Sequence, residues 1–316
     1  MRAKHAFVAA LIMATAQIAA AKDVVKLIVP TAPGGGTDVL FRAISRYVEP
    51  ELDATVVILN VSGAGGTIGV SELTRAKPDG KTLAGVWMGP ITVAPHTVKT
   101  TYGLNDYIPV IQLDSAPYVL CVLNDFPAKD GKAFIEELRR NPDKYTYGTD
   151  GVAGPGQLAV ERVFEALGVS ARDIPYKGAG ETMPALLGHV VDIYSGSVPL
   201  GVNLEKSGDG KCLLATSTKR IAALPDAISL EELGIPDRET LLWHGIIAPK
   251  GTPEKELLKI QNAFEKAANS PEMTQFFETA GVEKSIIKGA DLRKRIDDEY
   301  AALGKLVVSL GLKPAK

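Results

Sequence analysis

Two cysteines, four histidines and two tryptophans are all that 316 residues hold of the side chains most used for covalent catalysis, metal binding and ring stacking. So few cysteines exclude a disulfide-dense miniprotein. The histidines His5, His96, His189 and His244 are scattered and read as surface or packing residues. No H-E-x-x-H zinc helix and no G-x-S-x-G nucleophile elbow occurs, and no glycine-rich turn supplies the Gly-Lys-Ser/Thr of a phosphate loop. The formal net charge is only −2, so no basic field points to nucleic acid. Repeats and low-complexity tracts are missing as well. What remains is a chain with 46% hydrophobic residues, enough for one or two packed α/β domains.

After residue 21 no run of 18 apolar residues occurs, so the mature chain is expected to be soluble. Before it stands a secretion signal. Arg2, Lys4 and His5 form a basic start, Ala6 to Ile18 is an apolar run short of a bilayer span, and Ala19-Ala20-Ala21 offers small residues for cleavage. Residues 1–21 are therefore read as a signal peptide and the periplasm as the destination. Export makes a disulfide between Cys121 and Cys212 chemically possible. Both sit in apolar strand-like runs, and the sequence leaves open whether they pair or stay as two buried thiols.

The mature chain opens with an apolar strand at 24–29, a glycine-rich turn at 30–37, and a helix with one buried stripe, in which Val39, Ala43 and Tyr47, with Leu40, Ile44 and Val48, recur at four-residue spacing. Strands at 55–59 and 82–86 follow, separated by a second glycine-rich turn and a short helix ending near Ala76. This alternation predicts a parallel sheet with helices on its faces. The middle repeats the grammar: strands at 118–123, 145–148, 173–175, 192–195 and 212–216, with helices at 130–141 and 158–167. Gly168 suits the left-handed residue that closes a helix. Ser229-Leu230-Glu231-Glu232 reads as a capping box on a short helix. Past a strand at 241–248 the tail is helical over 253–268, 271–280 and 291–310. Two βα arrays predict two lobes: residues 22–115 with 240–316, and residues 116–239.

Three small-residue turns between strand and helix are candidates for chemistry. They are Pro33-Gly34-Gly35-Gly36-Thr37-Asp38, Gly148-Thr149-Asp150-Gly151-Val152-Ala153-Gly154-Pro155-Gly156 with Gln157 just inside the helix, and Ser195-Gly196-Ser197. Glycine permits close backbone approach, and the following helix offers free N–H groups and a positive dipole end. Such turns suit a carboxylate or phosphate at about 0.3–1 kcal/mol per helix end, and they lie at the carboxyl ends of strands, where open α/β sheets bind ligands. Gly63-Ala64-Gly65-Gly66-Thr67-Ile68-Gly69 reads G-x-G-x-x-x-G, one residue out of step with a dinucleotide fingerprint, and lacks its acidic partner at a strand end. No cofactor is expected.

Several separated stretches resemble one family. They are Ile28-Val29-Pro30 leading into Pro33–Asp38; Gly63–Gly69; Pro78-Asp79-Gly80-Lys81-Thr82-Leu83; Tyr147-Gly148-Thr149; Pro175-Tyr176-Lys177-Gly178; Leu224-Pro225-Asp226; and Ala248-Pro249-Lys250-Gly251-Thr252-Pro253. In this order and spacing the chain resembles, nearly end to end, the extracytoplasmic receptors of tripartite tricarboxylate transporters, the Bug receptors. The resemblance implies a two-lobed, type II-like periplasmic binding protein. Residues 34–38 of one lobe would face 149–156 and 195–197 of the other across a cleft, and the C-terminal helices would pack back on the first lobe. It implies reversible capture of a small organic acid by a monomer, and delivery to small and large membrane subunits.

The chain departs from the family where Thr31-Ala32 replaces Phe-Pro, Asp150 replaces a small residue, and Gln157 replaces histidine. Asp150 either caps its own loop or meets a cationic or hydroxyl group of the ligand. Asp38, at a helix start, is expected to order its loop. Trp87, Met88 and Thr92 are candidates for the variable wall, with core packing the other reading for Trp87. A periplasmic sensor for a membrane kinase and a periplasmic α/β enzyme are the alternative functions.

Overall fold

A computed structural model describes residues 22–34, 36–149, 153–176 and 181–311. The expected signal peptide lies outside them. The strands fall into two groups joined by one long strand. In the first group β1 (Asp23–Val29) is central, with β2 (Ala54–Asn60) and β3 (Thr82–Trp87) parallel on either side. Beyond β3 come β9 (Leu241–Pro249), β4 (Tyr107–Leu123) and β10 (Glu283–Lys288), each antiparallel to its neighbour. In the second group β8 (Gly210–Ala215) and β7 (Ile193–Ser197) flank the far end of β4, antiparallel to it. β5 (Thr146–Thr149) and β6 (Arg172–Pro175) continue parallel to β7.

The expected parallel sheet is therefore mixed. Hydrophobic runs report burial but not direction. β4 and β9 run between the groups without crossover helices, and antiparallel pairing needs none. β4 is also longer than its apolar run suggested. Residues up to Pro117 pair with β9, and from Tyr118 the partners become β7 and β8. The change of partners is held by one buried hydroxyl. Thr216 Oγ1 accepts from Tyr118 N at 2.9 Å and donates to Thr240 O at 2.7 Å, tying both strands that cross between groups.

Helices α1 (Gly36–Leu52), α8 (Glu254–Ala268) and α9 (Pro271–Ala280) cover one face of the first group. Its other face is covered by α2 (Thr67–Thr74), a single π turn at Gly89–Val93 that runs into α3 (Ala94–Thr97), and α10 (Gly289–Ser309). The second group carries α4 (Gly131–Arg140) and α5 (Pro155–Leu167) on one face. On the other lie α6 (Thr182–Leu187) and α7 (Val198–Ser207). Each fully buried Leu, Ile or Phe here contributes about 1.5–3 kcal/mol, and these four apolar layers drive the fold. Local signals act as expected at two ends. Asp130 accepts from Ala133 N to cap α4, and Gly168 closes α5 in the left-handed region.

Helix α6 and strand β10 carry no strong periodicity and were not foreseen, and α7 was expected only as an unbounded helix after Ser197. Ser229 does meet Glu232, by its backbone N at 3.1 Å and its hydroxyl at 3.0 Å, but the segment is a turn rather than a helix. Cys121 and Cys212 sit directly opposite on β4 and β8 and form a disulfide across 91 residues. Among the described residues no helix is long and apolar enough to cross a membrane.

Candidate functional site

The turn after β1 is organised by Asp38. Its Oδ2 accepts from Gly34 N at 2.8 Å and Arg42 Nε at 2.9 Å, and its Oδ1 accepts from Asn60 Nδ2 at 2.8 Å. Asn60, at the end of β2, also reaches Thr31 O and accepts from Arg42. Burial alone would raise the Asp38 pKa, but these donors outweigh it and leave the carboxyl below its usual range. Both oxygens are engaged, so Asp38 orders the loop, as its place at a helix start suggested. Gly34 takes φ +84°, which favours glycine, and open space lies where a Cβ of Gly34 or Gly36 would point. Thr37 is buried in the first turn of α1. Gly35 lies outside the described residues.

The neighbouring wall is Trp87, the last residue of β3. Its indole lies against two glycines: a Cβ on Gly66 would stand 2.6 Å from the ring, and one on Gly89 2.3 Å from Nε1. The fingerprint-like run 63–69 therefore seats an aromatic ring. Gly69 lets α2 approach β1, where a Cβ would come within 2.7 Å of Pro30. Trp87 remains partly exposed at this edge. Met88 and Thr92 are fully buried; Met88 belongs to the core beneath α10 and does not form part of an open wall. That differs from the expectation for Met88: β3 has ended at Trp87, and Met88 takes helical backbone angles at the start of the π turn, which carries its side chain into the cluster that Trp87 covers.

In the second group Thr149 ends β5 fully buried. Its hydroxyl donates to Asp173 at 2.6 Å, and its carbonyl accepts from Tyr176 N. The Thr149 side chain is thus turned toward β6. Asp150 and Gly151 lie outside the described residues, so the choice between cap and ligand contact falls there too. Gly154 precedes α5, and Gln157 folds back so that its Oε1 accepts from Ala153 N at 2.5 Å. One residue on, Leu158 is fully buried in the core of the first group, which brings the start of α5 against that group.

Ser195, Gly196 and Ser197 were expected as a turn but are the last residues of β7, with α7 following at once. Gly196 has no room for a Cβ, because Tyr194 Oη would be 2.2 Å away. Among the described residues Ser195 Oγ is buried with no hydrogen-bond partner, and so is Thr31 Oγ1 beside the first turn. Buried hydroxyls are almost always paired, so two orphans at the carboxyl ends of β7 and β1 mark places where a ligand or water completes the bonding.

Sequence reasoning missed Asn60, Asp114 and His244. His244 pairs with Trp87 across β3 and β9. Its Nδ1 lies 2.9 Å from Asp114 Oδ1 and 3.1 Å from Oδ2, and its backbone N donates to Oδ1 at 2.8 Å. A lone histidine inside an apolar strand carries no pattern, so only a tertiary partner gives it away. Trp243 faces the other way and donates to Glu299 Oε2 at 2.9 Å, at a cavity of about 490 Å³ lined by Arg162, Thr240, Arg295 and Glu299. Among the described residues no cluster could hold a metal ion.

Residues 40–312 match the model of the tripartite tricarboxylate transporter family receptor. The chain is similar to the periplasmic binding protein BugD, with 30% identity, a TM-score of 0.80, and coverage of 93% of this chain and 99% of that one. It is similar to MatC from Rhodopseudomonas palustris with bound malate, with 25% identity, a TM-score of 0.76, and coverage of 90% and 99%. It is also similar to R. palustris Rpa4515 with adipate, with 26% identity, a TM-score of 0.82, and coverage of 93% and 99%. The mixed α/β fold is that of periplasmic binding proteins. The chain thus belongs to the receptor family of the tripartite tricarboxylate transporters, a family of solute-binding proteins.

Proposed function

We propose that this protein captures a small organic acid, of the di- or tricarboxylate class, in the periplasm and delivers it to the small and large membrane subunits of a tripartite transporter. In this reading residues 22–115 with 240–316 form one lobe and residues 116–239 the other. The ligand lies between residues 34–38 with Trp87 on one side and residues 149–157 with 195–197 on the other. The observation that carries it is the pair of unpartnered hydroxyls, Thr31 Oγ1 and Ser195 Oγ, at strand ends of the two groups. Structures of two relatives with malate and adipate bound support the ligand class.

Recognition would rest on backbone N–H groups at helix starts, which favour anions without a positive side chain. Closure follows from affinity: a ligand touched by both lobes binds the closed form better, and only that difference shifts the equilibrium. A thermal-shift panel of mono-, di- and tricarboxylates, amino acids and aromatic acids tests the reading. An acid at one hundred times its Kd adds about 2.7 kcal/mol of stability. Silence across the whole panel, from folded and ligand-free protein, would reject it.

A further inference from the structure

The His244–Asp114 pair stands at the edge where the first strand group meets the candidate cleft. His244 is opposite Trp87, the last residue of β3 and the one partly exposed ring at that edge. Its own ring meets Phe41 edge-on, with centroids 6.5 Å apart. Phe41 lies one turn into α1, the helix whose start carries the glycine turn. Three residues after Asp114, β4 changes partners and crosses to the second group. The pair therefore sits at the floor, close to both crossings.

The geometry also fixes the proton. Asp114 offers both carboxylate oxygens to Nδ1 and one of them to the backbone N as well. An ionised carboxylate only accepts, so Nδ1 carries hydrogen. Nε2 is then a bare acceptor in the neutral ring and a donor in the imidazolium. Among the described residues Nε2 has no hydrogen-bond partner, and the side chain is 11% exposed against 4% for Asp114. A buried ion pair gives little stability over an apolar pair of the same shape.

We propose that His244, oriented by Asp114, reads the ligand: its Nε2–H donates to a carboxylate of the bound acid at the cleft floor. The proposal rests on the receptor reading above and adds a specificity residue to it. Other charges on the packed elements are engaged elsewhere. Asp38 of α1 is held by Arg42, Glu265 of α8 by Lys288, and Lys284 of β10, the register partner of Asp114, donates to Asn269. Asp114 is the one ion-pair partner of His244 among the described residues.

Titration calorimetry of the mature protein with malate, adipate and the rest of the acid panel tests this. His244→Asn keeps a donor to Asp114 but cannot reach as far as Nε2, and it should lose at least tenfold in affinity for the acid that binds the wild-type protein. The monoamide of that acid should bind the wild-type protein more weakly than the acid itself, and the gap between the two should narrow in His244→Asn. Wild-type affinity in folded His244→Asn, or an unchanged gap between acid and amide, would overturn the proposal and leave the receptor reading intact. If no acid binds the wild-type protein, both readings fall.

Discussion

At the scale of single residues, two buried polar side chains carry defined tasks. Thr216 supplies one hydroxyl to two backbone groups on the crossing strands. Thr216→Val keeps the shape and strands the Tyr118 N–H and the Thr240 carbonyl. Each orphaned group costs about 1–3 kcal/mol, so a loss of roughly 2–4 kcal/mol is expected in urea unfolding. A loss below half a kcal/mol would mean that the strands do not depend on this clasp. Asp38, itself buried, gathers three donors beneath an exposed turn. Asp38→Ala should cost about 2–3 kcal/mol, because hydrogen bonds to charged groups are the stronger kind. It should also weaken ligand binding, since residues 34–37 lose their anchor. Wild-type affinity in this variant would show that the turn is ordered without it.

Glu299 gives a pH prediction with a definite sign. Burial holds its carboxyl above the usual 4.5, against the lowering effects of Trp243, Arg295, Thr92 and Arg162. A raised folded pKa means the native state keeps a proton that the unfolded chain has lost. The resulting stability is fully present below pH 4.5 and is lost as pH rises through the folded value. Glu299→Gln keeps an oxygen for Trp243 Nε1 and removes the charge. Its stability relative to wild type should therefore climb as pH goes from 4 to 8, as read in urea midpoints. A flat difference would show that the carboxylate ionises freely in its cavity.

Among the elements, the contact between α7 and the strands beneath it is a steric constraint that can be tested. Gly201 of α7 lies over the disulfide, where a Cβ would be 2.7 Å from Cys212 Sγ and 3.1 Å from Cys121 Sγ. Gly201→Ala gains helix propensity worth about 1 kcal/mol, yet overpacking of this kind costs about 1–3 kcal/mol. The variant should be neutral to about 2 kcal/mol less stable in wild type. It should become stabilising when both cysteines are replaced by alanine. The same cost in both backgrounds would disprove the steric account. Strong periodicity made α1, α4, α5, α8, α9 and α10 legible beforehand. Helices α6 and α7 are short, at 6 and 10 residues, and their exposed sides include apolar Leu187 and partly exposed Leu200 and Val202, so the sequence gave little pattern to read. β10 is half-exposed and pairs only with β4, so its alternation is weak.

Across the whole molecule, the disulfide and the two crossings govern how the halves hold together. Closing a separation of 91 residues restricts the unfolded chain strongly, and losing such a bridge removes about 2–5 kcal/mol. Cys121→Ala with Cys212→Ala should show that loss in a melt without altering which acid binds, because both sulfurs lie in the core under α7 rather than at the strand ends. A change of preferred acid would place the bridge in the binding equilibrium itself.

The sequence by itself determined the family, through glycine and proline stretches whose order is preserved, and the helices whose apolar stripe recurs with the helical period. It also determined the glycine turn at 34–38 and the task of Asp38, since turn and cap chemistry is local and needs no distant partner. Tertiary structure alone decided the direction of the strands, the pairing of Cys121 with Cys212, and the fate of Met88. It alone brought Asp114 to His244, 130 residues apart, and left Thr31 and Ser195 with hydroxyls to share. These depend on which strand lies beside which, and that is set by the summed burial of four apolar layers rather than by any short stretch of chain.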